Sequence, residues 1–131
     1  MTGPGDRRRV LVVEDDPDAA SVLADYLTQA GFAAHVAHDV DEALATARAH
    51  APDVLITDLR LRGPRGGLDL VRALAGEPGA PPLIFAVSGY ATREEREEAS
   101  ALGVEGIFSK PFDPDALVAR LRARLEDPPR G

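Results

Sequence analysis

The chain contains no cysteine. That absence excludes disulfides, thiol catalysis, and zinc or iron–sulfur centres built on cysteine. Lysine is almost missing: of 15 basic residues only Lys110 is lysine, and the rest are arginine. In so arginine-rich a chain, one lysine marks a candidate position for a compact ammonium on a slim stem. No apolar run approaches the roughly 20 residues of a membrane span. No apolar signal core follows the stretch from Met1 to Arg9, so the expected location is the cytoplasm, with no membrane contact. Positive charge is in deficit, with 15 basic against 22 acidic residues and a net charge of −7. That balance argues against direct nucleic-acid binding.

What is present fits one globular domain. A length of 131 residues and 44% hydrophobic content suffice for a single core. The expected domain spans residues 9–126, with 1–8 and 127–131 as flexible tails. Within it, apolar runs alternate with helix-period segments. Val10-Leu11-Val12-Val13 reads as a strand buried on both faces. Asp16-Pro17 reads as a helix start. Ala19, Val22, Leu23, Tyr26, Leu27 and Ala30 follow at helical spacing, and Gly31 closes the helix. Ala33 to Ala37 is a second strand. A capping box at Asp39-Val40-Asp41-Glu42 opens a second helix with Ala43, Leu44 and Ala47 inward, broken at Pro52. Val54 to Thr57 is a third strand ending at Asp58. A loop from Arg62 to Gly67 precedes a helix through Leu68, Val71 and Leu74. Leu83 to Val87 is a fourth strand ending at Ser88-Gly89. Thr92-Arg93-Glu94-Glu95 caps a fourth helix, which Gly103 stops. Gly106-Ile107-Phe108 is a fifth strand ending at Ser109-Lys110-Pro111. Asp113-Pro114 opens a last helix burying Leu117, Leu121 and Leu125.

Five strands alternating with five helices predict a parallel α/β sheet covered on both faces. Ligands then bind beyond the carboxyl ends of the strands. Those ends carry Glu14-Asp15-Asp16, Asp58, Ser88 and Lys110. Asp16 before Pro17 is most simply an N-cap. Glu14 and Asp15 crowd the end of an apolar strand with nothing local to bond. Two carboxylates about 4 Å apart repel by about 4 kcal/mol at an effective dielectric of about 20. Such a cluster calls for raised pKa values or a cation. All-oxygen ligands favour a hard ion such as Mg²⁺. With a hydroxyl and an ammonium added, the set suits a transferring phosphoryl group: a carboxylate accepts it, and the cations take up its charge.

This arrangement resembles the receiver domain of two-component response regulators, from about Arg9 to Leu125. The matching motifs are Val12-Val13-Glu14-Asp15-Asp16, Thr57-Asp58-Leu59, Val87-Ser88-Gly89 and Ser109-Lys110-Pro111-Phe112. The resemblance implies a flavodoxin-like (βα)5 fold with strand order 2-1-3-4-5, and a phosphorelay role. It implies Asp58 as phospho-acceptor. Asp15 and Asp58 would bind Mg²⁺ (or Mn²⁺) directly, Glu14 through a water, and Arg60 through its backbone carbonyl. Lys110 would pair with one phosphoryl oxygen, and the Ser88 hydroxyl would swing toward another. The donor would be a sensor histidine kinase, a phosphotransfer protein or a small phosphodonor. The domain would not be an enzyme, beyond its own phosphorylation and dephosphorylation. Output would pass through the fourth helix, fifth strand and fifth helix to an unidentified downstream protein. The chain would act as a monomer or weak homodimer, alone or as part of a larger regulator or hybrid kinase.

Three departures from the family pattern modulate that picture. The usual aromatic three before the lysine is Ile107, with Phe108 beside it, so Phe108 or Tyr90 would have to take a modified part. Arg62 stands where proline is common, in a loop one residue longer than usual. Arg60 and Tyr90 flank the site at positions that in the family influence phosphoryl lifetime, while small Gly89 keeps it open. The charged segment from Thr92 to Glu98 reads as a solvated face or a partner surface. His35, His38 and His50 form no zinc set. The basic run Arg7-Arg8-Arg9 and Arg120, Arg122 and Arg124 read as solvated charge. The alternatives are an interaction module that is never phosphorylated, an aspartyl-phosphate hydrolase of the haloacid-dehalogenase type, and a flavin-binding protein. The second lacks its further Asp two residues after Asp58. The third lacks a hydroxyl-rich phosphate loop after the first strand.

Overall fold

The computed structural model describes residues 8–126. Expectations for residues 1–7 and 127–131 lie outside them. The strands are β1 (Arg9–Val13), β2 (Ala33–Ala37), β3 (Val54–Asp58), β4 (Leu83–Ser88) and β5 (Gly106–Ser109). The helices are α1 (Pro17–Gln29), α2 (Val40–His50), α3 (Gly67–Ala75), α4 (Arg93–Ala101) and α5 (Pro114–Glu126). All neighbouring strands pair in parallel, in the order β2-β1-β3-β4-β5. This is the flavodoxin-like fold. Among the described residues no helix is long and apolar enough to cross a membrane.

The pleat explains why the central strands are apolar throughout. Alternate residues enter two separate cores. Leu11, Val13, Leu55 and Ala86 pack with Leu44 of α2, Leu70 and Leu74 of α3, and Ala99 of α4. Val10, Val12, Ile56 and Phe85 pack with Leu27 of α1 and with Leu117 and Leu121 of α5. Each large side chain fully removed from water contributes roughly 1.5–3 kcal/mol. The helix starts carry the N-caps the sequence predicts, but at Asp39 only the N-cap half of the expected box forms, since Glu42 Oε1 pairs with His38 Nδ1 at 3.1 Å. Asp16 Oδ1 accepts from the Asp18 N–H (3.0 Å), Asp39 Oδ1 from Glu42 (2.8 Å), and Asp113 Oδ1 from Asp115 (2.9 Å). Pro52 cannot extend α2, and Ala51 before it turns left-handed at φ 45°.

Two periodicity readings are corrected. In α1 the buried stripe is Ala20 and Leu27, with Leu23 between them; Val22 is 70% exposed and Ala19 faces outward. Positions 20, 23 and 27 lie on one side at 100° per residue, and position 22 falls off it. In α5, Leu117 and Leu121 are buried, whereas Leu125 in the last turn is only half-buried.

Candidate functional site

The carboxyl ends of β1, β3, β4 and β5 meet at one edge of the sheet. Asp58 is the last residue of β3 and is only 5% exposed. Glu14, one step past β1, is also buried, and Asp15 is half-buried. One carboxylate oxygen from each of Glu14, Asp15 and Asp58 lies within 4.8 Å of the others. Lys110 follows β5 and reaches into this cluster. Its Nζ donates to Asp58 Oδ2 and, at 2.9 Å, to Glu14 Oε1. Burial pulls the Lys110 ammonium down. The hydrogen bonds and charges of Asp58 and Glu14 outweigh that, and its pKa is raised overall.

The donor set fits a hard divalent cation: three carboxylates, no nitrogen or sulfur ligand, at the mouth of a crevice. Beside it, on the α1 side, opens a cavity of about 580 Å³ lined in part by Val13, Glu14, Asp16, Lys110 and Phe112. The expectation that Glu14 lacks a local partner is corrected. The backbone N–H of Asp16 donates to its Oε2 at 3.1 Å, so the turn into α1 holds Glu14 in place. Asp58 is likewise held by its own turn, since the Arg60 N–H donates to its Oδ1 at 3.1 Å.

The Ser88 hydroxyl lies at the end of β4 but is turned into its own loop. It donates to the Tyr90 carbonyl at 2.7 Å and accepts from the Tyr90 N–H at 3.1 Å. Gly89 has open space where a Cβ would stand. Ile107 packs on the α2–α3–α4 core. Phe108 points to the opposite face, edge-on to Phe85, with Arg120 over its ring. It therefore has no line to Ser88. Tyr90 is 74% exposed.

The side chain of Arg60 crosses the mouth of the site to α4. Its guanidinium pairs with both oxygens of Glu95 and reaches the Tyr90 carbonyl at 3.5 Å. Glu95 also completes the capping box, with its Oε1 accepting from the Thr92 N–H at 2.9 Å. The Arg60 hydrogen bond, then the Thr92 N–H, hold the Glu95 carboxyl down at about 2. The hydrogen bond and charge of Glu95 in turn raise Arg60. One turn on, Glu98 pairs with Arg72 of α3. The charged face of α4 is thus partly engaged with the fold, not simply solvated.

Sequence reading missed three contributors. Thr57 is buried, and its hydroxyl donates to the Asp58 carbonyl at 3.0 Å. Gly67 starts α3 against Asp58: a Cβ there would stand 2.2 Å from the Asp58 carbonyl oxygen. The Gly-Gly pair was the available signal for close approach. Glu95 was legible as a cap but not as the partner of Arg60.

Compared with known proteins, the chain matches the response regulator receiver domain over residues 10–122. It is 37% identical over 126 residues to the DNA-binding response regulator MtrA of Mycolicibacterium smegmatis, covering 94% of this chain and 54% of that one. It is 33% identical over 118 residues to the nitrogen assimilation regulatory protein NtrX of Azorhizobium caulinodans, covering 89% and 26% respectively. The chain therefore spans about half or less of these relatives' length. Among solved structures, the chemotaxis protein CheY4 of Vibrio cholerae superposes with a TM-score of 0.82 at 28% identity, covering 88% of this chain and 97% of that one. The non-phosphorylated HemR receiver domain of Leptospira biflexa gives 0.82 at 28%, covering 95% and 98%.

Proposed function

This chain belongs to the response regulator receiver domain family, and we propose that it accepts a phosphoryl group on Asp58 from the phosphohistidine of a kinase or phosphotransfer protein. The observation that carries this reading is the meeting of Lys110 with Asp58 and Glu14, 52 and 96 residues away in the chain, beside Asp15. An Asp58 oxygen attacks phosphorus, forming a P–O bond as the P–N bond breaks. The imidazole leaves with the bonding pair and takes up a proton. Water later attacks the same phosphorus, returning the carboxylate and releasing inorganic phosphate.

Asp15 and Asp58 would hold a Mg²⁺ ion, with Glu14 acting through a water and the Arg60 carbonyl as a further ligand. Bound there, the ion supplies charge neutralisation for the phosphoryl oxygens. Lys110 stabilises a second oxygen. The Ser88 hydroxyl leaves the Tyr90 carbonyl for a third. Gly89 leaves this approach free of a side chain. Output then passes through α4, β5 and α5 to a protein partner. The domain is a signalling module acting in the cytoplasm, as a monomer or weak homodimer.

Intact-mass analysis after incubation with acetyl phosphate tests the chemistry. The chain should gain one phosphoryl group in Mg²⁺ and none in EDTA, and Asp58→Ala should gain none. Equal labelling of Asp58→Ala would overturn the assignment.

A further inference from the structure

We propose that Arg60 is the conformational switch of this domain: its guanidinium exchanges Glu95 for the phosphoryl group on Asp58 and so releases α4. The proposal rests on Asp58 being phosphorylated, and adds how that event reaches α4.

α4 is poorly anchored by apolar contact. Ala99 is its one buried residue, and the segment Arg93–Ala101 is otherwise mostly charged. Two ion pairs stand in for a packed face: Arg60 with Glu95, and Arg72 with Glu98. Arg60 also shares the Tyr90 carbonyl with the Ser88 hydroxyl. One residue next to Asp58 thus holds both the β4–α4 loop and the first turn of α4.

The choice of partner follows from charge. Glu95 offers a single negative charge on a side chain that is 23% exposed. A phosphorylated side chain carries a charge of about −1.5 to −2 and three acceptor oxygens, and the planar guanidinium matches it in two-pronged geometry. The Arg60 backbone N–H is already 3.1 Å from Asp58 Oδ1, so its side chain starts beside the phosphoryl position. When Arg60 and Ser88 both turn inward, the Tyr90 carbonyl loses both donors. Glu95 keeps only its capping bonds. Ile107 is packed on the α2–α3–α4 core and offers no hydrogen bond to the Ser88 hydroxyl. Phe108 lies across the sheet.

Hydrogen exchange of the Arg93–Ala101 amides, with and without Mg²⁺ and beryllium fluoride, tests this. The wild type and Glu95→Gln are compared. Gln keeps the capping bond and removes the charge. In the wild type, the fluoride should speed α4 exchange about two- to fivefold, the scale of a partly exposed ion pair, and move the Arg60 Nε–H resonance. Glu95→Gln should exchange at the faster rate already and change little on addition. Two results would overturn the switch: a wild-type α4 that is unmoved while the Ser88 amide shifts, or a Glu95→Gln protein that responds as the wild type does. If neither Ser88 nor the mass after acetyl phosphate changes, the phospho-acceptor reading itself fails and the switch with it.

Discussion

Lys110 donates to the carboxylate of Asp58 across 52 residues of chain, and the same ammonium bridges to Glu14. Both acids are buried. Removing the cation leaves them unpaired, which costs more than never having placed charges there. Lys110→Met keeps the apolar stem and should destabilise the metal-free fold by about 1–3 kcal/mol, with Mg²⁺ restoring part of the loss. Urea unfolding with and without Mg²⁺ measures it. The ammonium's raised pKa also sets an alkaline limit. Its contribution is full below the ordinary value of 10.5 and fades as pH rises through the higher folded value. Lys110→Met should lack that alkaline loss. Wild-type stability in the variant at every pH would show that the ammonium holds nothing together.

Asp15 is the acid that Lys110 does not bond, although its oxygen lies within 4.8 Å of those of Glu14 and Asp58. Without a cation its charge is repulsive. Asp15→Asn should therefore stabilise the metal-free protein by about 1–3 kcal/mol, while removing the Mg²⁺ dependence of both stability and phosphorylation. Thermal unfolding across a Mg²⁺ titration reads both effects. A variant less stable than wild type in EDTA would contradict the account of a strained acidic cluster.

The strand-end acids, Ser88 and Lys110 were legible because the parallel alternation forces every strand's carboxyl end to one edge. A residue's place in the chain then gives its place in the site. Caps at Asp16, Asp39, Thr92 and Asp113 were legible because they depend on two or three neighbouring residues. Side-chain direction was not. Nothing in the spacing of Arg60 and Glu95 marks them as partners, since 35 residues separate them and the pairing depends on how α4 sits. Val22 satisfied a loose helical period yet faces outward, because the helix turns positions 20, 23 and 27 to the core and leaves 22 off that stripe. Phe108 looked available to replace the aromatic absent at position 107, but a one-residue step along a strand reverses the face.

Gly67 is a case where backbone approach, not backbone angle, demands glycine. A Cβ would stand 2.2 Å from the Asp58 carbonyl oxygen and 3.1 Å from the Thr57 hydroxyl. The carbonyl is backbone and cannot yield without moving the end of β3. Gly67→Ala should cost about 1–3 kcal/mol and displace Asp58 enough to slow phosphorylation by acetyl phosphate. Gly89→Ala is the matched control, because a Cβ there meets nothing within 4 Å. It should unfold at the wild-type denaturant concentration. Equal stability of the two variants would mean that the start of α3 can shift away from β3 freely.

At the opposite end of the sheet, the rings of His35 in β2 and His50 at the end of α2 stack with centroids 4.0 Å apart. Arg9 donates from its guanidinium to the His50 carbonyl at 2.8 Å, bringing a fixed positive charge to the pair. Burial, then His50, then Arg9, all push the His35 pKa below 6.5. A proton that binds more weakly in the folded state favours unfolding. The contribution of neutral His35 is therefore full above 6.5 and lost as pH falls through that value toward the lower folded one. Stability measured by urea from about pH 7.5 to about pH 5 should fall more steeply for wild type than for His35→Gln, which keeps a flat polar group but does not titrate. Parallel curves for the two proteins would show that His35 carries none of the pH dependence.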